Sequence, residues 1–262
     1  MTRFTRIALG LALAGLFLAA CSLAGDVTPP PGARTIVNAP AELPTQPPVT
    51  SAPVQPSAGT EAPVALAPSG RPSAAEGAAL FAEHCAPCHG DTGNGDGPMA
   101  ANVPGGSAAV PKFALPDLAR QASPQTWFGV VTQGRLDKFM PPFNEKLSDT
   151  QRWNVVAFVY TLSTPPDQIA AGQAAYDANC ANCHGADGQG QGPDAAGAAL
   201  RDFTDSTLAA AFSPAQLFDA ITTGAGVADH AFTSALSEDQ RWATVAYLRA
   251  FAYDYFAPGS PL

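Results

Sequence analysis

Two five-residue segments, CAPCH at Cys85–His89 and CANCH at Cys180–His184, recur 95 residues apart, and their surroundings repeat with them. Gly77 and Gly172 each stand eight residues before the first cysteine, with Phe81 and Tyr176 four residues after the glycine. Farther on, SPQTWFGVVTQG from Ser123 matches SPAQLFDAITTG from Ser213, and LSDTQRWNVVAFVYTLS from Leu147 matches LSEDQRWATVAYLRAFA from Leu236. A repeat of this length predicts two homologous domains of about 100 residues, joined by STPPD, and not one fold spread over 262 residues.

Each copy reads as helical. Ser73 with Glu76, Ser148 with Gln151, Ser213 with Gln216 and Ser237 with Gln240 have the spacing of a capping box, and Ser123-Pro124 and Ser213-Pro214 put serine at a cap and proline at the first helical position. Trp153, Val156, Ala157 and Tyr160 fall at helical spacing near the end of the first copy. Trp242, Val245, Ala246 and Arg249 hold the same offsets in the second, where the arginine shortens the apolar stripe. Gly77 and Gly172, each with its aromatic neighbour, suit a close crossing of the first and last helices. No alternating strand pattern with hairpin turns is present.

The repeated C-x-x-C-H carries the chemistry. Two thiols three residues apart can add to the two vinyl groups of one haem edge, with the adjacent histidine held beneath the iron. A thioredoxin-like pair would need a βαβ context, a zinc site would need four ligands within one copy, and a plain disulfide would leave the following histidine unexplained twice. The glycine-rich GDTGNGDGP and GADGQGQGP segments lack the bidentate glutamate of a calcium loop.

These residues resemble the class I cytochrome c family, one domain over about residues 73–164 and a second over about 167–257. The resemblance implies an all-α fold, two tandem class I cytochrome c-like helical domains, with each haem wedged between first and last helices. It implies two covalently bound haem c groups, attached at Cys85 and Cys88 and at Cys180 and Cys183, with His89 and His184 as proximal iron ligands. A sixth ligand, usually methionine, would come from the loop ahead of the last helix. Met140 in KFMPPF matches that position, whereas the second copy contains no methionine. Counted forward from the glycine ending the matched helix, six residues lead from Gly134 to Met140 and from Gly224 to His230. Counted back from Phe143 and Phe232, Met140 instead faces Asp229, so the second loop is one residue shorter. His230 is the candidate sixth ligand opposite His184. Met99, in the loop after the first haem motif, and His84, next to Cys85, carry no assigned role.

The N-terminus is a processing signal. MTRFTR is basic, an apolar run of 14 follows, and LAAC at Leu18–Cys21 resembles a bacterial lipobox, which implies cleavage before a lipidated Cys21. An ordinary export signal or an uncleaved anchor is the alternative. The five cysteines then resolve as one lipid attachment point and two haem-binding pairs. From Ser22 to Pro72 the chain has twelve prolines and no aromatic residue, which predicts a disordered Pro-rich linker. The expected organisation is residues 1–20 signal, 21–72 tether, 73–164 first domain and 165–262 second domain.

The formal net charge is −9, and loss of residues 1–20 with Arg3 and Arg6 leaves −11. Such a chain does not suit nucleic acid and does suit redox proteins or membrane electron-transfer complexes with basic docking surfaces. The expectation is an electron carrier, lipid-anchored to the cell membrane on its extracytoplasmic, periplasmic side. A His89/Met140 iron would have the higher potential and a His184/His230 iron the lower. Two rival readings follow from the same residues. An open second site would make a haem enzyme or small-ligand binder, and association with other chains would make a cytochrome subunit of a larger membrane oxidoreductase complex.

Overall fold

The computed structural model describes residues 67–198, 200–227 and 230–255. The expected signal segment, Cys21 and nearly all of the expected proline-rich tether lie outside them, as does Asp229. Both repeats belong to one compact unit. The first contains α1 (Ala74–His84), α2 (Ala86–His89), α3 (Pro116–Gln121), α4 (Pro124–Gln133) and α5 (Asp149–Thr161). The second repeats the series as α6 (Pro166–Asn179), α7 (Ala181–His184), α8 (Ser206–Ala211), α9 (Pro214–Thr223) and α10 (Glu238–Ala252). The fold is all-α. Among the described residues only two isolated bridges occur, Ser73 with Asp254 and Arg135 with Met140.

Each repeat is organised by the crossing of its first and last long helices, and both crossings are closed by glycine. A Cβ built on Gly77 would lie 1.9 Å from the Asn154 carbonyl oxygen, and one on Gly172 would lie 1.9 Å from that of Ala243. With no side chain there, the backbones meet and the flanking aromatics pack: Phe81 with Phe158 at 5.1 Å, Tyr176 with Tyr247 at 5.3 Å. In both repeats the helix before the last starts with serine at the cap and proline behind it. Phe128 then stacks on Trp153 at 4.3 Å, and Phe218 on Trp242 at 4.1 Å.

Three of the four expected capping boxes form, at Ser148, Ser213 and Ser237. The fourth is divided. The Ser73 hydroxyl accepts from the Glu76 amide, but the Ser73 amide donates to Asn154 Oδ1 at 2.9 Å, and Asn154 Nδ2 donates to Glu76 Oε2 at 2.7 Å. A buried asparagine of α5 thus completes the start of α1. The local motif has become a long-range one.

The two repeats share a core. Tyr160 and Trp153 of α5 belong to one apolar cluster with Ala246, Tyr253 and Tyr255 of the second repeat. A strap ahead of α1 adds polar ties: Arg71 Nη2 donates to the Ala250 carbonyl at 2.6 Å, Ala74 N to that of Asp254 at 2.7 Å, and Asp254 N to that of Pro72 at 2.8 Å. Arg249 does more than shorten the stripe of α10. It is buried at this seam, its guanidinium 4.1 Å from the Tyr160 ring.

Candidate metal centres

The C-x-x-C-H segments each occupy one helical turn, and this explains their spacing. Residues i, i+3 and i+4 share a helix face, so Cys85, Cys88 and His89 face one side of α2 with its cap, and Cys180, Cys183 and His184 one side of α7. His89 N bonds the Cys85 carbonyl at 2.9 Å, and His184 N that of Cys180 at 2.8 Å. Gly90 and Gly185, at φ 75° and 80°, end the two turns in a conformation that disfavours any side chain. The glycine-rich loops fold back over the same turns: Gly95 N donates to the His89 carbonyl, and Gly190 N to that of His184, both at 2.8 Å.

Among the described residues no disulfide joins Cys85, Cys88, Cys180 and Cys183. Burial, then the neighbouring thiol, pushes Cys85 up to about 12 and Cys180 up to about 11. Burial holds His89 below the usual imidazole range, and the Pro111 carbonyl partly opposes this. His184 is lowered first by burial and then by His230, with the Arg201 carbonyl opposing. These carbonyls face the rings without closing a hydrogen bond of ordinary geometry. Nδ1 of His89, His184 and His230 is buried and unpartnered in each case. Buried imidazoles with an unpaired nitrogen are rings that lack a partner.

One aromatic at each centre was not singled out in the sequence. Phe113 stacks on His89 with centroids 4.7 Å apart, and Phe203 lies 4.9 Å from His184. Each stands two residues after the carbonyl facing its histidine. Counted from the histidine their spacings differ by five residues, because the loop between is shorter in the second repeat. The Gly95 and Gly190 approaches to the Val110 and Leu200 carbonyls mark the ends of that loop. Realigning the repeats on the later 90-residue offset would have revealed the pair.

The loops ahead of α5 and α10 bring the other two candidates into place. Arg135 and Met140 exchange backbone hydrogen bonds at 2.8 and 3.0 Å, closing a tight loop whose Phe139 has φ 60°. Holding a bulky residue left-handed costs about 1–2 kcal/mol, which this closed loop sustains. Met140 packs partly buried against the cluster of Phe81, Phe143 and Val155. In the second repeat Gly224 approaches His230 as Gly134 approaches Met140, within 2.9 Å and 2.6 Å of backbone for an added Cβ. Phe143 N and Phe232 N bond the Val131 and Ile221 carbonyls at 3.1 and 3.0 Å. Position by position, His230 stands where Met140 does, and the missing residue falls between it and Phe232.

The His184 and His230 ring centroids are 5.9 Å apart, with planes inclined at 60°. Rings this close would lie within reach of one metal ion held between them. The donor chemistry fits a covalently held haem at both centres: paired free thiols, a histidine on the same turn, aromatic walls and a second donor loop. Bound there, such a group supplies reversible one-electron exchange at its iron.

The family model "Cytochrome C oxidase, cbb3-type, subunit III" matches residues 72–159, and the model "Cytochrome c" matches residues 169–252. The Cbb3-type cytochrome c oxidase subunit FixP of Rhizobium etli is 33% identical over 129 residues, 45% of this chain and 41% of that protein. FixP of Sinorhizobium medicae is 28% identical over 125 residues, 44% of this chain and 39% of that protein. The chain thus spans about two fifths of the length of these relatives. A chain of the Kuenenia stuttgartiensis reducing HAO-like protein complex Kustc0457/Kustc0458 is 24% identical, covering 67% of this chain and 95% of that one. Its TM-score of 0.30 is too low to bear on how the domains are arranged.

Proposed function

Starting from a chain that is a tandem pair of cytochrome c-type domains, each with a covalently bound haem c and its iron, we propose a membrane-tethered electron carrier with unlike iron ligands in its two halves. Cys85, Cys88 and His89 with Met140 serve the first centre, and Cys180, Cys183 and His184 with His230 the second. The observation that carries this reading is the 5.9 Å pairing of His184 with His230 in a domain that contains no methionine.

The protein residues set the electron path. A thioether raises a haem potential relative to a second imidazole, so the first domain holds the high-potential centre and the second the low-potential one. Electrons enter at the second domain and leave from the first. Phe113 and Phe203 cover the proximal imidazoles, whose rings the Pro111 and Arg201 carbonyls face. The lipobox-like LAAC and the proline-rich tether support an anchored chain on the extracytoplasmic face of the membrane. The acidic charge supports a partner with a basic surface. Kinship with oxidase subunits favours a place within a larger membrane oxidoreductase complex.

Low-temperature EPR of the oxidised holoprotein, beside a redox titration of wild type and His230→Met, tests the assignment. The expected result is two distinct ligand signatures and two midpoints, with only the lower one rising in the variant. Two identical centres, or carbon monoxide binding at one reduced haem without loss of His230, would refute it.

A further inference from the structure

At the seam of the two domains lies a cavity of about 40 Å³ that no haem ligand lines. Its walls include Arg120 and Tyr160 from the first domain and Trp242, Arg249 and Tyr255 from the second. Arg249 is 3% exposed. Its Nε donates to the Tyr255 hydroxyl at 3.0 Å, while Nη1 and Nη2 are buried with no partner at all. No carboxylate among the described residues pairs with it. The Tyr160 and Tyr253 rings, 4.1 and 5.3 Å from the guanidinium carbon, offer cation–π attraction. They accept none of the Nη hydrogens. The second cation of the wall, Arg120, lies 3.9 Å over the Trp242 ring, and among the described residues the carboxylate that pairs with it is Asp117, at 3.7 Å and 96% exposed.

A buried guanidinium with its donor fork unsatisfied is costly unless something negative completes it. The fork of Nη1 and Nη2 matches two oxygens of one planar anion. One water needs roughly 10–15 Å³ by the same measure of volume, so the cavity admits a small ion and nothing as large as a nucleotide.

We propose that this cavity is an anion site, in which a small monovalent oxyanion of the nitrate, bicarbonate or carboxylate type binds the Nη groups of Arg249 and clamps the two domains together. The inference does not depend on how either iron is ligated. It makes the stability of the paired domains sensitive to a solute.

Thermal unfolding of the holoprotein would be followed in nitrate, acetate or bicarbonate, with ionic strength held constant by a bulky sulfonate salt. The midpoint is expected to rise and saturate, the unfolding constant falling about 100-fold at 100 times the dissociation constant. The most effective of the three ions identifies the source. Arg249→Met, close in length and able to pack among the tyrosines, should abolish the effect. If that variant does not fold, Arg120→Gln should still weaken the apparent affinity at least threefold. A flat titration of the wild type overturns the proposal, the guanidinium then being satisfied within the holoprotein itself. Equal stabilisation by the sulfonate, or full retention of the effect in either folded variant, overturns it too.

Discussion

Replacing Gly77 by alanine adds one methyl group at the point where α1 touches α5, and its effect can be worked from the distances. The new Cβ would lie 1.9 Å from the Asn154 carbonyl oxygen, 2.4 Å from its carbon and 3.0 Å from Phe158 Cβ. A relaxed carbon–oxygen contact is about 3.3 Å, so the backbones must part by about 1.4 Å. A carbonyl held in a helix cannot swing aside as a side chain would. The separation also loosens Phe81 from Phe158 and shifts α1, whose C-terminus leads into Cys85. Overpacking of this kind costs about 1–3 kcal/mol, and two backbones in direct contact belong at the upper end. The intrinsic helix preference of alanine returns no more than about 1 kcal/mol. A net loss of about 2 kcal/mol corresponds to a fall of about 4–8 °C for a unit of this size. Thermal denaturation of the oxidised holoprotein, read at the haem and in the far ultraviolet, measures it. Gly172→Ala should behave alike, because its Cβ meets the Ala243 oxygen at the same 1.9 Å. Alanine variants as stable as wild type at both positions would refute the reading that these glycines exist for helix contact.

Asn154→Ala removes the acceptor of the Ser73 amide and the partner of Glu76, and is expected to destabilise by about 1–3 kcal/mol in urea titrations. Asn154→Asp keeps the acceptor but sets a carboxylate against Glu76, so it should fall short of wild type at pH 7 and recover part of the deficit as pH is lowered through the carboxylate range. Met140→His gives both centres two imidazoles, and a redox titration should show the upper midpoint descending towards the lower one while the lower stays in place.

The repeat and its C-x-x-C-H turns were legible in the sequence because both are local: helical spacing alone puts two sulfurs and an imidazole on one face. The crossing of first and last helices was legible from Gly77 and Gly172, since a glycine four residues before an aromatic in a helix has few other uses. The pairing of His230 with His184 was legible only through alignment against Gly134 and Gly224, and counting from the other end pointed to Asp229. What the sequence concealed is long-range. Nothing near Ser73 announces that its amide turns to Asn154 and away from Glu76. Phe113 and Phe203 escaped notice because a loop shortened by five residues shifts their register from the histidines. Arg249 read as an interruption in an apolar stripe, since the packing of one repeat against the other is what sets the Tyr160 ring against it, beside Tyr253 and Tyr255 of its own repeat.

The strap that ties Pro72 and Ala74 to Asp254 sets the entry to the first domain beside the exit from the second. A pair of domains whose outer ends meet is nearly a closed ring, and the order in which its halves are synthesised is then incidental to their packing. Opened within STPPD and rejoined across the strap by a short flexible link, the same residues would run with the second domain leading, and each helix could keep its neighbours. Any anchor attached ahead of the strap therefore pulls on the seam between the domains, so a mechanical load reaches both halves at once.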